Sequence, residues 1–475
     1  MKKISNILLL ALLAILAVWT ARHFFISLAY PYPVDYGEGV VVHWIKQSAA
    51  GMKLYPEMTE NPPYFHNPYT PLFYWITSRF QSVSGNVFFA ARFLNFISLL
   101  ACAAAILVMV RRRTGWRGGL IAMSLFVFSP VILKYAGTAK VDMTALAFAM
   151  LSLLILDSFR SKTSSLFSGI LCSFAILVKP TYLLLSLAGA ITCLRRERKQ
   201  FAMFAASGII ATLIAFIILF LQNGGGVITH LLDLNRLPPD WGNVFSMLAR
   251  VAGKHPLLLC GLAVFIVRNP DRKDPIWWYA LLIPLSLLFS LKTGAEENYY
   301  MEIIAAGAIA CGISTRYFVP EAGTLLMWST VGQMALYAPI QPAPVFTKVY
   351  GQEMTGTGYS VTPTTDDRQM SEVIMAEINS SESPVLCEDL GYLVIANREI
   401  AVEPYQFAQL AKSKRWSDAK LVEMVVEKKF GLVILGADPS NGDTTYFTGG
   451  TLRAISEKYA LKRIVGRFFI FEPKP

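Results

Sequence analysis

Charged residues are scarce in this sequence. Asp, Glu, Lys and Arg make up only 16% of its 475 residues, whereas 54% are hydrophobic. A soluble globular domain has about 25% charged residues, so the scarcity argues against a soluble protein. The mean hydropathy is +0.46, and the apolar residues come in runs of membrane length. The composition predicts a polytopic α-helical membrane protein.

Cysteines and familiar catalytic motifs are also few. Five of the six cysteines lie inside or at the ends of apolar segments, and only Cys387 is in a polar region. A disulfide framework and a CxxC metal site are therefore excluded. The sequence has no Walker loop, no GxGxxG that opens a helix after a strand, and no HExxH. Any chemistry must come from scattered ionisable side chains.

The basic residues indicate topology rather than nucleic-acid binding. The net charge is +11, but the lysines and arginines lie in short clusters between apolar runs, such as 111–113 and 195–199. Clusters of this kind are typical of cytoplasmic loops, and no nucleic-acid partner is expected. The first run follows Met1-Lys-Lys and is too long for a signal-peptide core, so it predicts a retained helix with its N-terminus in the cytoplasm.

About 11 spans place every basic cluster on one side of the membrane, and an odd count places the C-terminus outside. The predicted spans are 7–28, 87–110, 120–135, 143–159, 166–178, 182–194, 201–221, 257–267, 276–291, 302–314 and 323–340. Residues 29–80 form the first and large outside loop, and residues 222–255 a long polar one.

The composition changes after residue 340. Two prolines open a linker at 341–365, and residues 366–475 predict a small extracytoplasmic α/β domain. We expect helices at 366–380 and 418–429, with Asp418 as N-cap. We expect strands at 384–387, 392–396, 400–402, 432–435 and 461–471. The transmembrane domain therefore comprises residues 1–340.

Ionisable residues recur in the predicted outside loops. Asp35 and Glu38 lie in an aromatic and proline-rich stretch, residues 30–75, and Lys140, Asp142 and Lys179 follow in later loops. Further members are His230, Asp233, Arg236, Asp240, Glu296, Glu297 and Asn298. Such groups at membrane depth are costly unless they are paired or solvated, which makes them candidates for function. Carboxylates and cations in one outward cavity would suit a lipid-linked phosphate beside an acid/base centre.

Five features together resemble the GT-C glycosyltransferases, a superfamily that includes the protein O-mannosyltransferases and the bacterial lipid A aminoarabinose transferase. The first loop carries Asp35-Tyr-Gly-Glu38 and then the approach Asn67-Pro-Tyr-Thr-Pro-Leu-Phe-Tyr-Trp75. A second loop carries Ala139-Lys-Val-Asp142, a Lys179-Pro-Thr181 turn joins two short spans, and a domain follows the last span.

The resemblance implies an integral glycosyltransferase of the cytoplasmic (inner) membrane. It would move a sugar from a polyprenyl-phosphate donor to a lipid, glycan or protein acceptor on the extracytoplasmic face, with inversion. A first-loop carboxylate would be the general base. Asp35 fits this role best. Glu38 is its rival, because the adjacent Asp-Glu pair of the mannosyltransferases is here separated by Tyr36 and Gly37.

The resemblance also suggests residues for the donor phosphate. Lys179 is the first candidate, and Lys140 and Arg236 come next. Asp142 would orient a cation or the acceptor, and His66 would contact substrate. A divalent metal is undecided: Glu38, His43 and His66 could hold one, but their spacing does not demand it. No cofactor is certain.

Simpler interpretations stand beside these. Asp35 or Glu38 could only cap the following helix, Lys140 could pair with Asp142, and Lys179 could reach the lipid headgroups. Arg236 could pair with Asp233, and His66 could only bond within its loop. A transporter or flippase of a lipid-linked or anionic substrate is the alternative function, although the sequence shows no convincing internal repeat. The transferase hypothesis requires Asp35, Asp142 and Lys179 to converge on one outward-facing cavity that opens to lipid.

Overall fold

The computed structural model describes residues 2–317 and 362–475, together with 328–329, 332, 348–349 and 352–353. The first part is helical. Its helices are α1 (Lys2–Ala29), α2 (Tyr36–Ala49), α3 (Leu72–Ser84), α4 (Val87–Val127), α5 (Pro130–Ala136), α6 (Asp142–Ser158), α7 (Lys162–Val178), α8 (Leu183–Arg196), α9 (Arg198–Asn223), α10 (Trp241–Lys254), α11 (Pro256–Arg268), α12 (Pro275–Leu282) and α13 (Met301–Ser314). The predicted span 323–340 and most of the predicted linker 341–365 lie outside the described residues.

Helix α4 is a helical hairpin rather than one straight helix. Gly115 interrupts it with φ +78°, a conformation that glycine adopts without steric cost. A Cβ added at Gly119 would lie 3.0 Å from Leu107 Cδ1. A straight helix would separate twelve residues by about 18 Å. The apolar runs on either side of Gly115 are therefore antiparallel.

Few spans can be identified from length and composition alone. Among the described residues, α4 and α9 are long and apolar enough to cross a membrane, and α10 with α11 would add a third if this pair, bent by 92°, is one span. Shorter apolar helices are Leu13–Ala29, Lys162–Val178 and Pro275–Leu291. The total of about 11 spans stays a prediction.

Helices α6, α7 and α9 pack closely through small residues. The hydroxyls of Ser152 and Ser168 lie 2.6 Å apart between α6 and α7. A Cβ added at Gly169 of α7 would lie 2.2 Å from the Phe204 carbonyl of α9. Small residues allow such close approach between helices in a membrane. Because α6 and α7 are antiparallel, the start of α6 at Asp142 meets the end of α7 at Lys179.

The region predicted as one polar loop, residues 222–255, contains a helix. Helix α10 begins after Asp240, whose carboxylate accepts a hydrogen bond from the Asn243 N–H at 3.1 Å. Its buried side chains, Val244, Met247 and Val251, recur at helical spacing. The sequence predicts a long polar loop here without a helix, because the glycines and prolines before Asp240 obscure the amphipathic segment that follows them.

The C-terminal region is mixed α and β. Its helices are α14 (Thr365–Ser380), α15 (Leu390–Ile395), α16 (Pro404–Lys412), α17 (Ala419–Val426) and α18 (Gly449–Lys458), and its strands are β1 (Val385–Cys387), β2 (Leu432–Leu435), β3 (Tyr459–Val465) and β4 (Phe468–Pro473). The sheet order is β1-β2-β4-β3. Strands β1 and β2 are parallel, and the other neighbours are antiparallel.

Two strand predictions in this region were wrong. Residues 392–395 belong to helix α15 and Ala396 is its C-cap, because a short apolar run has no period that separates a strand from a buried helix. The predicted final strand 461–471 is a hairpin that turns at Gly466, whose φ is +56°. The prediction for 400–402 is met only by an isolated parallel bridge between Val402 and Tyr64.

That bridge joins the C-terminal region to the first loop. The Tyr64 N–H donates to the Ala401 carbonyl at 2.9 Å, and the Glu403 N–H donates to the Tyr64 carbonyl at 2.8 Å. The Tyr64 ring is buried with Phe407 and Trp416 of the C-terminal region. The two regions therefore pack against each other around the stretch that carries Asp35.

Candidate functional site

A buried arginine fixes the start of the first loop. The Arg92 side chain is fully buried in the first half of α4 and forms a two-pronged ion pair with Glu38, with N–O distances of 2.9 and 2.8 Å. Its remaining donors reach the carbonyls of Ser27, Tyr30 and Tyr32. A guanidinium can bind one carboxylate and three carbonyls at once because it presents five N–H donors in a rigid plane.

Glu38 is fully occupied by these and two further donors. Its oxygens also accept the N–H groups of Val34, at 2.7 Å, and Ala139, at 2.6 Å. The second contact ties the first loop to the loop that carries Lys140. Glu38 therefore connects the first loop to the loop of residues 137–141 and stabilises their contact.

Asp35 both caps a helix and forms an ion pair. It is the N-cap of α2, and its Oδ1 accepts the Gly37 N–H at 2.8 Å. The same oxygen lies 2.7 Å from Lys140 Nζ. The Asp35 side chain keeps 13% of its surface exposed, whereas that of Glu38 keeps none. Asp35 is therefore the more accessible carboxylate of the first-loop motif.

Lys140 joins Asp35 to Glu296. Its ammonium lies 3.4 Å from Glu296 Oε2, which also accepts the Tyr135 hydroxyl at 2.8 Å. Burial lowers the pKa of Lys140, but Asp35 and Glu296 outweigh it and hold the pKa well above its ordinary value. Lys140, with Lys134 nearby, lowers the pKa of Glu296 in turn. The expected Lys140–Asp142 pair is replaced by these contacts.

Asp142 and Lys179 form a second pair. Asp142 is fully buried, and its Oδ1 lies 2.5 Å from Lys179 Nζ and accepts the Asn298 amide at 3.0 Å. The Lys179 ammonium also lies 4.2 Å from the centre of the Tyr299 ring, a cation–π contact. Among the described residues, Asp142 Oδ2 and Asn298 Oδ1 are buried without a hydrogen-bond partner. Lys179 therefore faces the protein interior rather than the lipid headgroups.

One short loop connects the two pairs. Glu296 contacts Lys140, Asn298 contacts Asp142, and Tyr299 contacts Lys179. The structure thus brings the predicted Asp35, Lys140, Asp142 and Lys179 into one network. Glu296 and Asn298, which were also candidates in the predicted outside loops, connect the two pairs.

Lys292 is a further cation near Lys179. Its Nζ donates to Asn235 Oδ1 at 2.5 Å. Burial and the nearby Lys179 lower the pKa of Lys292 to about 8, against the raising effect of Glu403. An anion that binds beside such a lysine stabilises the charged form of its side chain. The sequence gives no motif around Lys292 that distinguishes it from other loop lysines.

His66 lies next to this region but is held by protein groups. Its Nε2 lies 3.0 Å from the His230 carbonyl, and its ring stacks on the His230 ring with centroids 6.1 Å apart. Burial, with Lys292 and His230, lowers the pKa of His66 well below its ordinary value. His43 packs against Phe65 with ring centroids 4.2 Å apart. The described residues contain no group of three His, Cys, Asp or Glu that could hold a metal ion.

Arg236 is not drawn into the network. It is exposed, and the bonds that the structure gives it involve its backbone: its N–H donates to the Asp233 carbonyl at 3.2 Å, and its carbonyl accepts from Arg415. Its role in binding phosphate stays a prediction, as do the roles of the other candidate residues.

Comparison with known proteins identifies the fold. Residues 66–222 match the model of the family described as dolichyl-phosphate-mannose-protein mannosyltransferase. The structure resembles ArnT from Cupriavidus metallidurans bound to undecaprenyl phosphate, with a TM-score of 0.66, 14% identity and 97% of each chain covered. The chain has the GT-C fold. The resemblance seen in the sequence motifs is thereby confirmed.

A second GT-C structure is more distant. The oligosaccharyltransferase of Archaeoglobus fulgidus, solved in complex with Zn and sulfate, has a TM-score of 0.53 and 12% identity, and the match covers 95% of this chain and 72% of that one. None of the curated proteins matches the sequence significantly. The matched family segment contains Arg92, Lys140, Asp142 and Lys179, whereas Asp35 and Glu38 precede it.

Proposed function

We propose that this GT-C chain is an integral membrane glycosyltransferase. It transfers a sugar from a polyprenyl-phosphate carrier to an acceptor hydroxyl on the extracytoplasmic face, with inversion at C1. The observation that carries the proposal is the network in which the accessible carboxylate Asp35 contacts Lys140 and is linked, through the loop of Glu296 and Asn298, to the pair formed by Asp142 and Lys179. The fold is the same as that of ArnT, which was solved with undecaprenyl phosphate bound.

Asp35 is the proposed general base. Every donor that Glu38 meets is a fixed N–H of the fold, so Glu38 has no lone pair directed at an acceptor. Asp35 Oδ1 is held by Gly37 and Lys140, which orient the carboxylate. In the described part of the chain no hydrogen bond to Asp35 Oδ2 is found, so this oxygen is available for the acceptor proton.

The lysines are the proposed phosphate site. Lys179 is held in place by Asp142 and by the Tyr299 ring. Burial and the positive charge of Lys179 lower the pKa of Lys292, so an anion bound near both ammonium groups would relieve their repulsion. A phosphate there gains two charge-assisted contacts.

An apolar groove below Lys179 suits the polyprenyl chain. The groove has a volume of about 340 Å³ and lies between α7, α8 and α9. Cys172 and Ile176 of α7 line it, and Lys179 directly follows the last residue of that helix. Its other walls include Ala190, Phe204, Gly208 and Leu213. A phosphate at Lys179 would therefore place the attached lipid at the top of this groove.

The proposed reaction is a single displacement. The acceptor oxygen forms a bond to C1 as the bond from C1 to the phosphate oxygen breaks, and the bonding pair leaves with polyprenyl phosphate. The acceptor proton passes to Asp35. General base catalysis contributes a factor of about 10² to 10⁴. The lysines stabilise the charge that develops on the departing phosphate.

Turnover of the donor by purified protein tests the proposal. The full chain in lipid nanodiscs is incubated with a polyprenyl-phosphate sugar and a cell-envelope extract, and products are read by mass spectrometry. We expect free polyprenyl phosphate and a glycosylated acceptor with the opposite anomeric configuration. A donor that is bound or moved across a vesicle membrane without cleavage of its C1–O bond would favour the transporter alternative instead.

A further inference from the structure

Three tyrosines form a cluster beside Asp35. Tyr36, the residue after Asp35, lies with its ring centroid 4.7 Å from that of Tyr446 and 6.5 Å from that of Tyr405. Tyr405 and Tyr446 are 6.1 Å apart, and the Tyr405 N–H donates to the Tyr36 hydroxyl at 2.9 Å. All three side chains are only partly buried, so the cluster presents aromatic surface next to the proposed base.

The cluster also lies near the loop that carries Glu296. A Cβ added at Gly294 would lie 2.3 Å from the Tyr405 hydroxyl, which places that hydroxyl against the backbone two residues before Glu296. Gly294 has φ +81°, so glycine fits the position both sterically and conformationally. Burial, together with Glu296, raises the pKa of Tyr405 to about 12, and its hydroxyl remains a hydrogen-bond donor.

On its far side the cluster borders an acidic crevice. Tyr446 lines it together with Glu388, Asp438 and Asp443, at the carboxyl ends of the parallel strands β1 and β2. Ligands of α/β sheets commonly bind at this end. The crevice has a volume of about 20 Å³, which is room for one hydroxyl-sized group rather than a whole ring. In the described part of the chain, none of its lining residues is basic.

The two ends of the site therefore carry charge of opposite sign. Lys179 and Lys292 lie at the end proposed for the donor phosphate, whereas the crevice beside Tyr446 is lined by the carboxylates of Glu388, Asp438 and Asp443. A phosphate-bearing or carboxylate-bearing acceptor would be repelled at the acidic end. A sugar ring is neutral, offers C–H faces to the tyrosine rings, and donates hydroxyls to the carboxylates.

We propose that Tyr36, Tyr405 and Tyr446 form the acceptor subsite and that the acceptor is a neutral carbohydrate. One ring of the acceptor lies on the tyrosines with a hydroxyl in the crevice, and the hydroxyl to be glycosylated points at Asp35. The inference rests on the proposed transferase function and adds the acceptor class to it. The C-terminal region thereby supplies two of the three rings that select the acceptor.

A glycan array provides the binding test. Detergent-solubilised full-length protein is applied to an array of neutral and anionic glycans, with serine and threonine peptides on the same surface. We expect binding to a subset of neutral glycans, loss of that binding in Tyr446→Ala, and its retention in Tyr446→Phe. Tyr317→Ala, at a partly exposed tyrosine away from the cluster, should bind as the wild type does. Preference for peptides or anionic glycans, or binding that ignores Tyr446, would overturn the inference.

Kinetic assays with a glycan that binds on the array distinguish a failure of this inference from a failure of the proposed transferase function on which it rests. Tyr446→Ala should raise the acceptor KM by about two- to tenfold, as expected for the loss of one aromatic contact, and should change the donor KM much less. Sugar transfer to a peptide or phosphate acceptor would refute the acceptor class while leaving the transferase intact. Absence of any donor cleavage by the wild type would refute the transferase itself.

Discussion

Replacing Glu38 by Gln should damage stability more than it damages the chemical step. The change removes the negative partner of Arg92, which is fully buried. Removing one partner of a buried ion pair costs about 3–5 kcal/mol, because the other charge is left uncompensated. Unfolding entropy of about 2.1 cal/mol/K per residue gives roughly 1 kcal/mol/K for 475 residues. The expected fall in Tm is therefore about 3–5 °C.

The assay compares melting and turnover in the same preparations. Thermal unfolding of detergent-solubilised protein is measured for the wild type, Glu38→Gln and Glu60→Gln, whose side chain is exposed and whose Tm should not move. Below its melting range, Glu38→Gln should keep kcat within about tenfold of the wild type. A variant that melts normally but loses turnover by 100-fold or more would refute the structural role of Glu38 and identify it as the base.

Three further predictions concern the donor. Lys179→Met should raise the donor KM by about tenfold or more, because a charge-assisted contact contributes about 1.5–3 kcal/mol, measured with a polyprenyl-phosphate sugar. Lys292 is charged below its pKa of about 8, so donor kcat/KM should fall as pH rises through 8, and Lys292→Arg should abolish that fall. Ala205→Trp should fill the apolar groove and weaken long-chain donors more than short-chain ones, whereas Ala206→Trp, on the exposed face of α9, should not. Equal effects of the two tryptophans, or a pH profile unchanged by Lys292→Arg, would contradict these assignments.

Local sequence signals predicted much of the network. Lys140, Asp142 and Lys179 lie at helix boundaries set by apolar runs and a proline, so their loops could be assigned to one side of the membrane. The antiparallel packing of α6 and α7 then brings Asp142 to Lys179. The sequence could not predict that Lys140 forms ion pairs with Asp35 and Glu296 rather than with Asp142. Glu296 lies 156 residues further along the chain, so this pairing depends on how a distant loop folds.

Other functional candidates had weaker signals. Arg92 is the only charged residue inside the apolar run 87–110, and an isolated charge in a membrane segment is a sign of function or structure that could have identified it. Lys292 and Tyr405 carry no such sign. Tyr405 lies at the site because residues 401–403 form backbone hydrogen bonds with Tyr64. These segments are more than 300 residues apart, so no local sequence pattern predicts their contact.

The most direct test of the central claim is the turnover number of Asp35→Asn with a polyprenyl-phosphate sugar in nanodiscs. Asparagine keeps the helix cap and Lys140 keeps Glu296 as a partner, so the variant should fold and lose less thermal stability than Glu38→Gln does. We expect its kcat to fall by about 100-fold or more, while Asp233→Asn, at an exposed residue, keeps full activity. Full activity in Asp35→Asn would contradict the assignment of Asp35 as the base.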